Sequence, residues 1–323
     1  MRSRLVLLSA CLLALAIPAK ASAALTVGIS ENQPTMFSDP LFTKLGAKYA
    51  RVVVAYNVIS KGGYDLTRVT QYLQDAQADG VEPLVAFEHT RGDASHCNLK
   101  KNFKKTICKA PTTAQYTAAL KAFLQRFPQV KVIAPWNEIN HFTQPTSRDP
   151  KLAAKFTNIA HTLCPDCTLV VGDVLDQADN PAARHPTFTK TAKFIKSFRS
   201  ALKVPRTVCG IHNYSDVNRF RTTGTKAVMR ALGCKQYWLT ETGGLYKFGS
   251  FWSRSTYHGC RSSSSCQVRA TDYLFDDTAR DPRIKRAYIY TWYGGVTPRF
   301  DAGLVANGKP RPAYAVVAKH ITK

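Results

Sequence analysis

Two glutamates are the strongest candidates for chemistry in this chain. Glu138 ends the stretch Ala134-Pro-Trp-Asn-Glu138, and Glu241 ends the stretch Tyr237-Trp-Leu-Thr-Glu241. Hydrolysis of a glycosidic bond uses two such carboxyl groups, of which one protonates the departing oxygen and the other attacks the anomeric carbon. For net retention the two groups lie about 5–5.5 Å apart. The pair therefore predicts glycosidase chemistry, provided that the fold brings the two side chains together.

The elements that must position these residues alternate regularly along the chain. Short, nearly continuous apolar runs, typical of parallel strands covered on both faces, alternate with amphipathic helical patterns. The predicted strands are Leu25–Glu31, Tyr49–Asn57, Glu82–Glu88, Val130–Trp136, Thr168–Val174, Thr207–Asn213, Gln236–Thr240 and Ala287–Trp292. The predicted helices are Pro40–Gly46, Leu66–Ala78, Thr113–Phe127, Leu152–Leu163, Phe188–Leu202, Lys226–Leu232, Gln267–Ala279 and a last helix from Pro312.

Eight strands, each followed by a helix, predict the α/β class and a single-domain (β/α)8 TIM barrel. A doubly wound sheet is the alternative, but no glycine-rich phosphate turn follows the first strand, which runs into Glu31 and Asn32. Asp65 is predicted to cap the helix Leu66–Ala78, and Gly80 is predicted to follow its end.

Active sites of such barrels lie at the carboxyl ends of the strands. The polar and aromatic residues predicted at those ends are Glu31, Asn32, Asn57, Glu88, His89, Asn137, Glu138, Asp173, Asp176, His212, Tyr214, Glu241 and Trp292. The fourth and seventh strands lie nearly opposite each other around the ring. We therefore expect the two glutamates to face each other across the mouth of the barrel.

The segments around both glutamates resemble the strand-4 and strand-7 motifs of glycoside hydrolase clan A, whose members are retaining enzymes on (β/α)8 barrels. The resemblance extends from the first strand to the last. It implies Glu138 as acid/base, Glu241 as nucleophile, and hydrolysis of a β-linked polysaccharide or oligosaccharide without a cofactor. Transglycosylation is possible with the same machinery. No single family is selected, and Ile139 stands where many members carry Pro.

The same resemblance implies a set of substrate-binding residues. Asn137 would bind the sugar 2-hydroxyl, Arg51 would reach the nucleophile, and Tyr214 would bond to it. His212 completes the strand-6 pair, and Trp292 would lie beneath the reacting sugar. Besides Trp292, flat faces for sugar rings are offered by Trp252 and Tyr246.

The physics of the two roles gives further expectations. An acid must remain protonated near neutral pH, and burial beside Trp136 would raise the pKa of Glu138. A nucleophile must remain ionised, and Arg51 with Tyr214 would favour the charged form of Glu241. His89 is predicted to line the cleft together with Glu88, or else to cap the helix that follows.

The sequence leaves two other classes of function open. A metal hydrolase would draw on Glu31, His89, His212 and Asp173 from different strands, but no HxH pair or HExxH helix occurs, and we predict no metal. A non-catalytic glycan-binding barrel is the principal alternative. Binding alone would need neither carboxylate of the glutamate pair.

The N-terminus predicts export. Residues 1–23 have the form of a secretory signal, with Arg2 and Arg4, an apolar run over Leu5–Ile17 and a small-residue cleavage site at Ala21–Ala23. The apolar run is shorter than the roughly 20 residues of a membrane span. The catalytic barrel would occupy residues 24–323 of a secreted protein without a stable membrane anchor. Lipidation at Cys11 is the minor alternative.

The cysteines agree with export, because the eight that remain after Cys11 can all pair. We expect four local disulfides: 97–108, 164–167, 209–234 and 260–266. A redox pair or half a zinc site is the alternative at Cys164 and Cys167, but no second CxxC completes a metal site.

The charge is strongly basic, with 45 Lys and Arg against 21 Asp and Glu and a formal net charge of +24. Such a field favours anionic partners, which include acidic glycans. No basic run is interleaved with stacking aromatics, so a nucleic-acid partner is not expected. We expect a monomer that acts on a neutral or an anionic glycan.

Overall fold

The computed structural model describes residues 25–91, 97, 108–180, 183–249, 260, 262–296 and 299–321. The predicted secretory signal and Trp252 lie outside these residues. Among the described residues, no helix is both long enough and apolar enough to cross a membrane.

Eight parallel strands close into a barrel, which confirms the predicted (β/α)8 fold. They are β1 (Thr26–Ser30), β2 (Tyr49–Ala55), β3 (Glu82–Glu88), β4 (Val132–Ala134), β5 (Thr168–Leu175), β6 (Val208–His212), β7 (Gln236–Thr242) and β8 (Ile284–Tyr290). The ring closes because β8 pairs with both β7 and β1.

The α-helices cover the outside of the barrel and the loops between its strands. They are α1 (Pro40–Leu45), α2 (Val58–Lys61), α3 (Gly63–Ala78), α4 (Thr113–Arg126), α5 (Pro150–Leu163), α6 (Thr189–Ala201), α7 (Tyr214–Val217), α8 (Thr223–Leu232), α9 (Ser263–Tyr273) and α10 (Pro312–His320). Short 3₁₀-helices span Pro34–Met36 and Pro145–Arg148, and one turn of π-helix, Leu274–Thr278, continues α9.

The helix bounds show how local chemistry sets the start of an element. Helix α4 begins at a capping box, in which the side chains of Thr112 and Gln115 each accept from the other's backbone N–H. Helix α3 begins earlier than predicted, after Gly62, so Asp65 lies inside its first turn and pairs with Arg68 at 2.7 Å. The prediction of Asp65 as the cap was therefore wrong. Gly80, with φ 63°, does follow the helix end.

Apolar side chains fill both the barrel and the layer between strands and helices. The inside of the barrel holds a compact cluster of Val53, Leu84, Ala86, Val132, Ala134, Val170, Val208, Trp238 and Tyr288. The larger outer cluster joins the opposite faces of the strands to the helices, and it includes Phe123, Phe156 and Trp292. Packing on both faces explains why the strands read as continuous apolar runs.

A two-stranded antiparallel pair joins the loops that follow β7 and β8. Lys247–Phe248 pairs with Phe300–Asp301. The backbone N–H of Tyr246 donates to the carbonyl of Asp301 at 2.8 Å and extends this connection. The pair holds two loops together at the carboxyl end of the barrel, beside the strand that carries Glu241.

Three of the four expected disulfides are present: Cys97–Cys108, Cys164–Cys167 and Cys209–Cys234. The expected bond between Cys260 and Cys266 is not formed. The two thiols are nonetheless neighbours. Burial, together with a hydrogen bond with Cys260, raises the pKa of Cys266 to about 12. The prediction of a fourth disulfide was therefore wrong for this structure.

Candidate active site

The barrel brings Glu138 and Glu241 together at its carboxyl end. Glu241 lies on β7, and Glu138 follows β4. One carboxylate oxygen of each lies within 4.8 Å of the other and of the imidazole of His212. This spacing is close to the roughly 5 Å that separates the two carboxyl groups of retaining glycosidases.

The chain after β4 bends so that Glu138 faces the mouth of the barrel. Pro135 has no N–H to continue the strand ladder, and β4 ends before it rather than at Trp136 as predicted. Asn137 then donates its backbone N–H to the carbonyl of Phe87 at 2.6 Å. Glu138 itself adopts φ 44°, a region that non-glycine residues rarely occupy and that clusters at functional sites.

Glu241 is contacted by three polar side chains. Arg51 donates to its Oε1 at 2.5 Å, and the hydroxyl of Tyr214 donates to its Oε2 at 3.2 Å. His212 places Nδ1 at 3.7 Å from the same Oε2. Tyr214 is the first residue of α7 rather than part of β6 as predicted, and the start of this helix supports its position.

Arg51 lies at the centre of a buried network beneath the two glutamates. Besides Glu241, its guanidinium donates to Asn137 Oδ1 at 2.8 Å, Asp173 Oδ2 at 2.9 Å and Ser30 Oγ at 3.3 Å. Burial alone would lower the pKa of Arg51, but Glu241 and Asp173 outweigh it and raise this pKa above its ordinary value. The side chain therefore carries a fixed positive charge under the site.

Asp173 is a further member of this network, and the sequence suggested it only as a ligand in an alternative metal site. The register of β5 against β6 shifts between Val171 and Val174, where Gly172 and Asp173 have φ of 95° and 53°. This irregularity turns Asp173 into the barrel, where it accepts from the hydroxyl of Thr240 and contacts Nε2 of His212 at 3.3 Å. A glycine followed by an aspartate inside an apolar strand was the available signal.

His212 lies between carboxylates on both sides of its ring. Nδ1 lies 3.1 Å from Glu138 Oε1, while Nε2 faces Asp173. Burial opposes the charged imidazole, but Glu241, Asp173 and Glu138 outweigh it and raise the pKa of His212 to about 10. These carboxylates therefore favour the imidazolium form of His212.

The pKa of Glu138 differs from the expectation. Burial does raise it, but hydrogen bonds from His141 and His212 outweigh burial, and the net pKa lies well below its usual range. Trp136 packs away from this carboxyl group, against Phe156, and donates its indole N–H to Gln144 at 3.1 Å. The prediction that burial beside Trp136 would raise the pKa of Glu138 was therefore wrong.

No role at the site was predicted from the sequence for two further residues, His141 and Asp176. His141 closes the turn after Glu138 with its backbone N–H, and its Nδ1 lies 3.2 Å from Glu138 Oε2. Asp176 was expected at the carboxyl end of β5 but without a role. Its carboxylate accepts from the backbone N–H groups of Ser215 and Asp216 at 3.2 and 2.7 Å, and so fixes the first turn of α7, which carries Tyr214.

A cavity of about 520 Å³ opens above both glutamates. The residues that line it are Glu138, His141, Leu175, Asp176, Gln177, Ala178, Asp179, Tyr214, Ser215, Asn218, Arg219, Glu241, Leu245, Phe248, Tyr290 and Phe300. A second cavity of about 290 Å³ lies beside it, lined in part by Glu31, Asn32 and Val296. Tyr290 and Phe300 line both cavities and thus form a shared aromatic wall.

Trp292, expected beneath the sugar, lies elsewhere. It is fully buried in the outer layer, packed edge-on to Phe42 and Tyr314, and donates its indole N–H to Asp39 at 2.9 Å. Strand β8 ends at Tyr290, earlier than predicted, and this tyrosine lines the cavity instead. The expectation for Trp292 was therefore wrong.

The remaining predicted residues have structural partners away from the glutamate pair. The carboxylate of Glu31 accepts from four groups around the ends of β1 and β8, and Asn32 accepts from the backbone of Val53. His89 is buried, with Nδ1 at 2.6 Å from the carbonyl of Thr90. Glu88 pairs with Arg91 at 2.7 Å. Neither His89 nor Glu88 lines the main cavity. Asn57 precedes α2, and Tyr246 stacks beneath the guanidinium of Arg311.

Among the described residues, the His and carboxylate groups close enough to share a cation are Glu138, His212 and Glu241. The alternative set of Glu31, His89, His212 and Asp173 does not converge. A metal at the glutamate pair would meet the guanidinium of Arg51, which already contacts Glu241, and a charged His212. Both of these cations would repel a metal ion placed between the two glutamates.

No protein-family model and no curated protein sequence matches this chain. Solved structures share its fold. A family 39 glycoside hydrolase from the gut symbiont Bacteroides cellulosilyticus is 18% identical with a TM-score of 0.58, covering 92% of this chain and 64% of that one. Xylanase B from Clostridium stercorarium is 14% identical with a TM-score of 0.59, covering 91% and 96%. A β-glucosidase from Thermotoga maritima is 10% identical with a TM-score of 0.58, covering 93% and 99%. At these identities the likeness is one of the (β/α)8 fold.

Proposed function

We propose that this chain is a retaining glycoside hydrolase, with Glu241 as nucleophile and Glu138 as acid/base. One observation carries the proposal: two carboxylates from β7 and the end of β4 approach within 4.8 Å of each other above a buried arginine. Binding a glycan would not require two acidic groups held so close together. Hydrolysis with a covalent intermediate would.

In the first step, an oxygen of Glu241 attacks the anomeric carbon as the bond from that carbon to the leaving oxygen breaks. Arg51 and Tyr214 each hold one oxygen of Glu241 and so fix the direction of attack. Glu138 transfers a proton to the leaving oxygen, and a glycosyl ester forms on Glu241. The side-chain oxygen of Asn137 accepts from Arg51. The amide N–H₂ group of Asn137 is therefore the end that donates to the 2-hydroxyl of the sugar.

Glu138 must take up a proton from solvent as the substrate binds, because hydrogen bonds from His141 and His212 favour its carboxylate form. Leaving aside His141, which contacts the second oxygen of Glu138, the carboxylates of Glu138, Glu241 and Asp173 lie around two described cations, Arg51 and His212. Protonation of Glu138 makes this cluster neutral. A bound sugar excludes water, which raises the cost of the extra negative charge and favours that protonation.

In the second step, Glu138 takes a proton from a water molecule that attacks the anomeric carbon and releases Glu241. A second sugar hydroxyl in place of water would give transglycosylation. The proton donor, the base and the nucleophile are all side chains of this chain, so the reaction as proposed needs no cofactor.

The substrate we propose is a β-linked chain of several sugars. Two cavities lie on either side of the aromatic wall of Tyr290 and Phe300, so a chain crossing this wall would occupy both. Aromatic faces suit the apolar faces of sugar rings. We further propose that the protein is exported, because residues 1–23 have the form of a secretory signal and three disulfides are present.

The test is release of reducing ends from a panel of β-linked plant, fungal and bacterial glycans. The wild type should cut at least one of them, and Glu241→Gln should cut none. Glu82→Gln is the matched control, since Glu82 lies at the opposite end of the barrel and is exposed. A protein that binds glycans but releases no ends would contradict the proposal and favour a non-catalytic barrel.

A further inference from the structure

The outer face of the barrel carries a group of helices with cations and no acids. Helix α6 packs between α5 and α8. Their exposed cations are Lys151, Lys155, Lys190, Lys193, Lys196, Arg199, Lys226 and Arg230. No Asp or Glu occurs within any of the three helices. We call this surface, defined by the eight cations, the cationic face.

Most of the cations on the cationic face form no ion pair with the described residues of the protein. Arg199 does have a structural role, since it donates to the carbonyl of Ala231 at 2.6 Å. None of the other seven forms an ion pair within the part of the chain that the structure describes. Asp149 and Asp179, near the starts of α5 and α6, accept from backbone N–H groups, and Asp281, which interacts with Lys226, pairs with Arg283 at 2.7 Å.

Each described α-helix outside this group carries at most two exposed Lys or Arg residues; α4, for example, also lacks Asp and Glu but carries only Lys121 and Arg126. Helix α3 carries Asp65 and Asp75, and its Arg68 is buried in ion pairs. Helix α9 and the π-turn after it carry three aspartates, at positions 272, 276 and 277. Helix α6, with four exposed cations and no acid, therefore carries more exposed positive charge than any other described helix, and such a cluster favours a polyanion.

The cationic face begins at the rim of the main cavity. Asp179 lines the cavity and accepts the backbone N–H groups of Thr189 and Lys190 at the start of α6. From there Lys190, Lys193 and Lys196 lead away along an exposed helix about 20 Å long. A polymer that leaves the cavity past Asp179 would meet these three lysines first.

We infer that the cationic face binds an acidic polysaccharide, part of which enters the cavity as substrate; this rests on the proposed function. The cavity itself is lined by Glu138, Asp176, Asp179 and Glu241, so the units cut there would be neutral, and the carboxylate-bearing units would lie outside on the lysines.

The chemistry of the cationic face opposes two other polyanions, nucleic acid and an anionic membrane. None of the exposed large apolar residues lies on the three helices, which leaves no platform for stacked bases and no group to insert into a membrane.

The experiment measures binding to sodium polygalacturonate and to its methyl-esterified, neutral form. We expect salt-dependent binding to the acidic form alone. The triple variant Lys190→Glu, Lys193→Glu, Lys196→Glu should weaken that binding at least about tenfold, because each lysine near an anionic surface contributes on the order of 1 kcal/mol. The matched control is Lys44→Glu, Lys121→Glu, Lys309→Glu, which changes the net charge equally at exposed positions elsewhere.

Equal weakening in both triple variants would overturn the inference, because net charge alone would then explain binding. Tighter binding to duplex DNA or to phosphatidylserine vesicles than to polygalacturonate would also overturn it. Cleavage of neutral glycans is measured on the same preparations. Binding through the lysines without cleavage of any glycan would contradict only the proposed function, and cleavage without lysine-dependent binding would contradict only the cationic face.

Discussion

At the scale of single residues, the site consists of buried acids and bases whose charges compensate one another. Three carboxylates, those of Glu138, Glu241 and Asp173, lie around the cations Arg51 and His212. Each cation contacts more than one acid, so the side chains support one another. Buried charges of this kind are stable only when each is paired and hydrogen-bonded.

The role proposed for Glu138 predicts a dependence on the leaving group. Glu138→Gln keeps the shape of the side chain but removes the transferable proton. For a natural glycan, whose leaving oxygen needs protonation, turnover should fall by about 10²- to 10⁴-fold. For an aryl glycoside with an acidic phenol as leaving group, formation of the glycosyl ester should change little. Steady-state and burst kinetics on both substrates test this, with Glu82→Gln as control. Equal losses on both substrates would contradict the role.

Residues that belong to a recognisable sequence motif could be predicted from the sequence. Residues whose direction depends on where a strand ends could not. The motifs around Glu138 and Glu241 predicted which residues meet, together with Arg51, Asn137 and Tyr214. Trp292 was misplaced because β8 ends at Tyr290, which puts the tryptophan in the outer layer. The lowered pKa of Glu138 was missed because it depends on His141 and His212, which only the folded turn brings close.

At the scale of elements, irregular backbone places the functional side chains. Regular strands alternate inward and outward residues, whereas the shifts in β5 and after β4 turn Asp173 and Glu138 toward the site. Gly210 on β6 permits the shift in β5, because a Cβ at position 210 would lie 2.9 Å from Val170 and 3.0 Å from the backbone of Asp173. Strand positions were predictable from apolar runs, but these shifts leave no periodic signal.

A disulfide that closes a longer loop should stabilise the barrel more, because the loop-closure entropy grows with the logarithm of loop length. Cys209–Cys234 spans 25 residues and joins β6 to the end of α8, while Cys164–Cys167 spans 3. Replacing Cys209 and Cys234 by Ala should lower the free energy of unfolding by about 3 kcal/mol, and replacing Cys164 and Cys167 by about half as much. Urea unfolding of the two double variants measures both. A larger loss from the shorter loop would contradict the assignment.

The aromatic wall between the two cavities predicts an effect of chain length. Phe300→Ala removes a ring that lines both cavities and packs against Tyr214 and Tyr290. The variant should lower kcat/KM by about 2- to 10-fold on long oligosaccharides and less on an aryl monosaccharide glycoside. Tyr64→Ala is the control, since Tyr64 is exposed and lies outside both cavities. Equal effects on long and short substrates would argue against a chain crossing the wall.

At the scale of the whole molecule, the buried charges set a pH window for stability. The pKa of His212 is raised from 6.5 to about 10, so its contribution is complete below pH 6.5 and is lost as the pH rises toward 10. The pKa of Asp173 is lowered from 3.8 to about 2, so its contribution is complete above pH 3.8 and is lost as the pH falls toward 2.

Thermal unfolding across pH measures this window. The melting temperature of the wild type should decline from pH 6.5 to pH 10, and His212→Gln should start lower and lose most of that decline. His185→Gln, at an exposed loop position, is the control and should follow the wild type. An unchanged alkaline slope in the His212 variant would show that this imidazole is neutral in the folded protein.

The central claim for the molecule is that Glu241 forms a covalent bond to sugar at the mouth of the barrel. The direct test is incubation with a 2-deoxy-2-fluoro glycosyl fluoride of the sugar that the glycan panel identifies, followed by peptide mass spectrometry. The account predicts a single added glycosyl group on the peptide that contains Glu241, and a product of retained configuration by NMR. A label on another residue, or an inverted product, would contradict it.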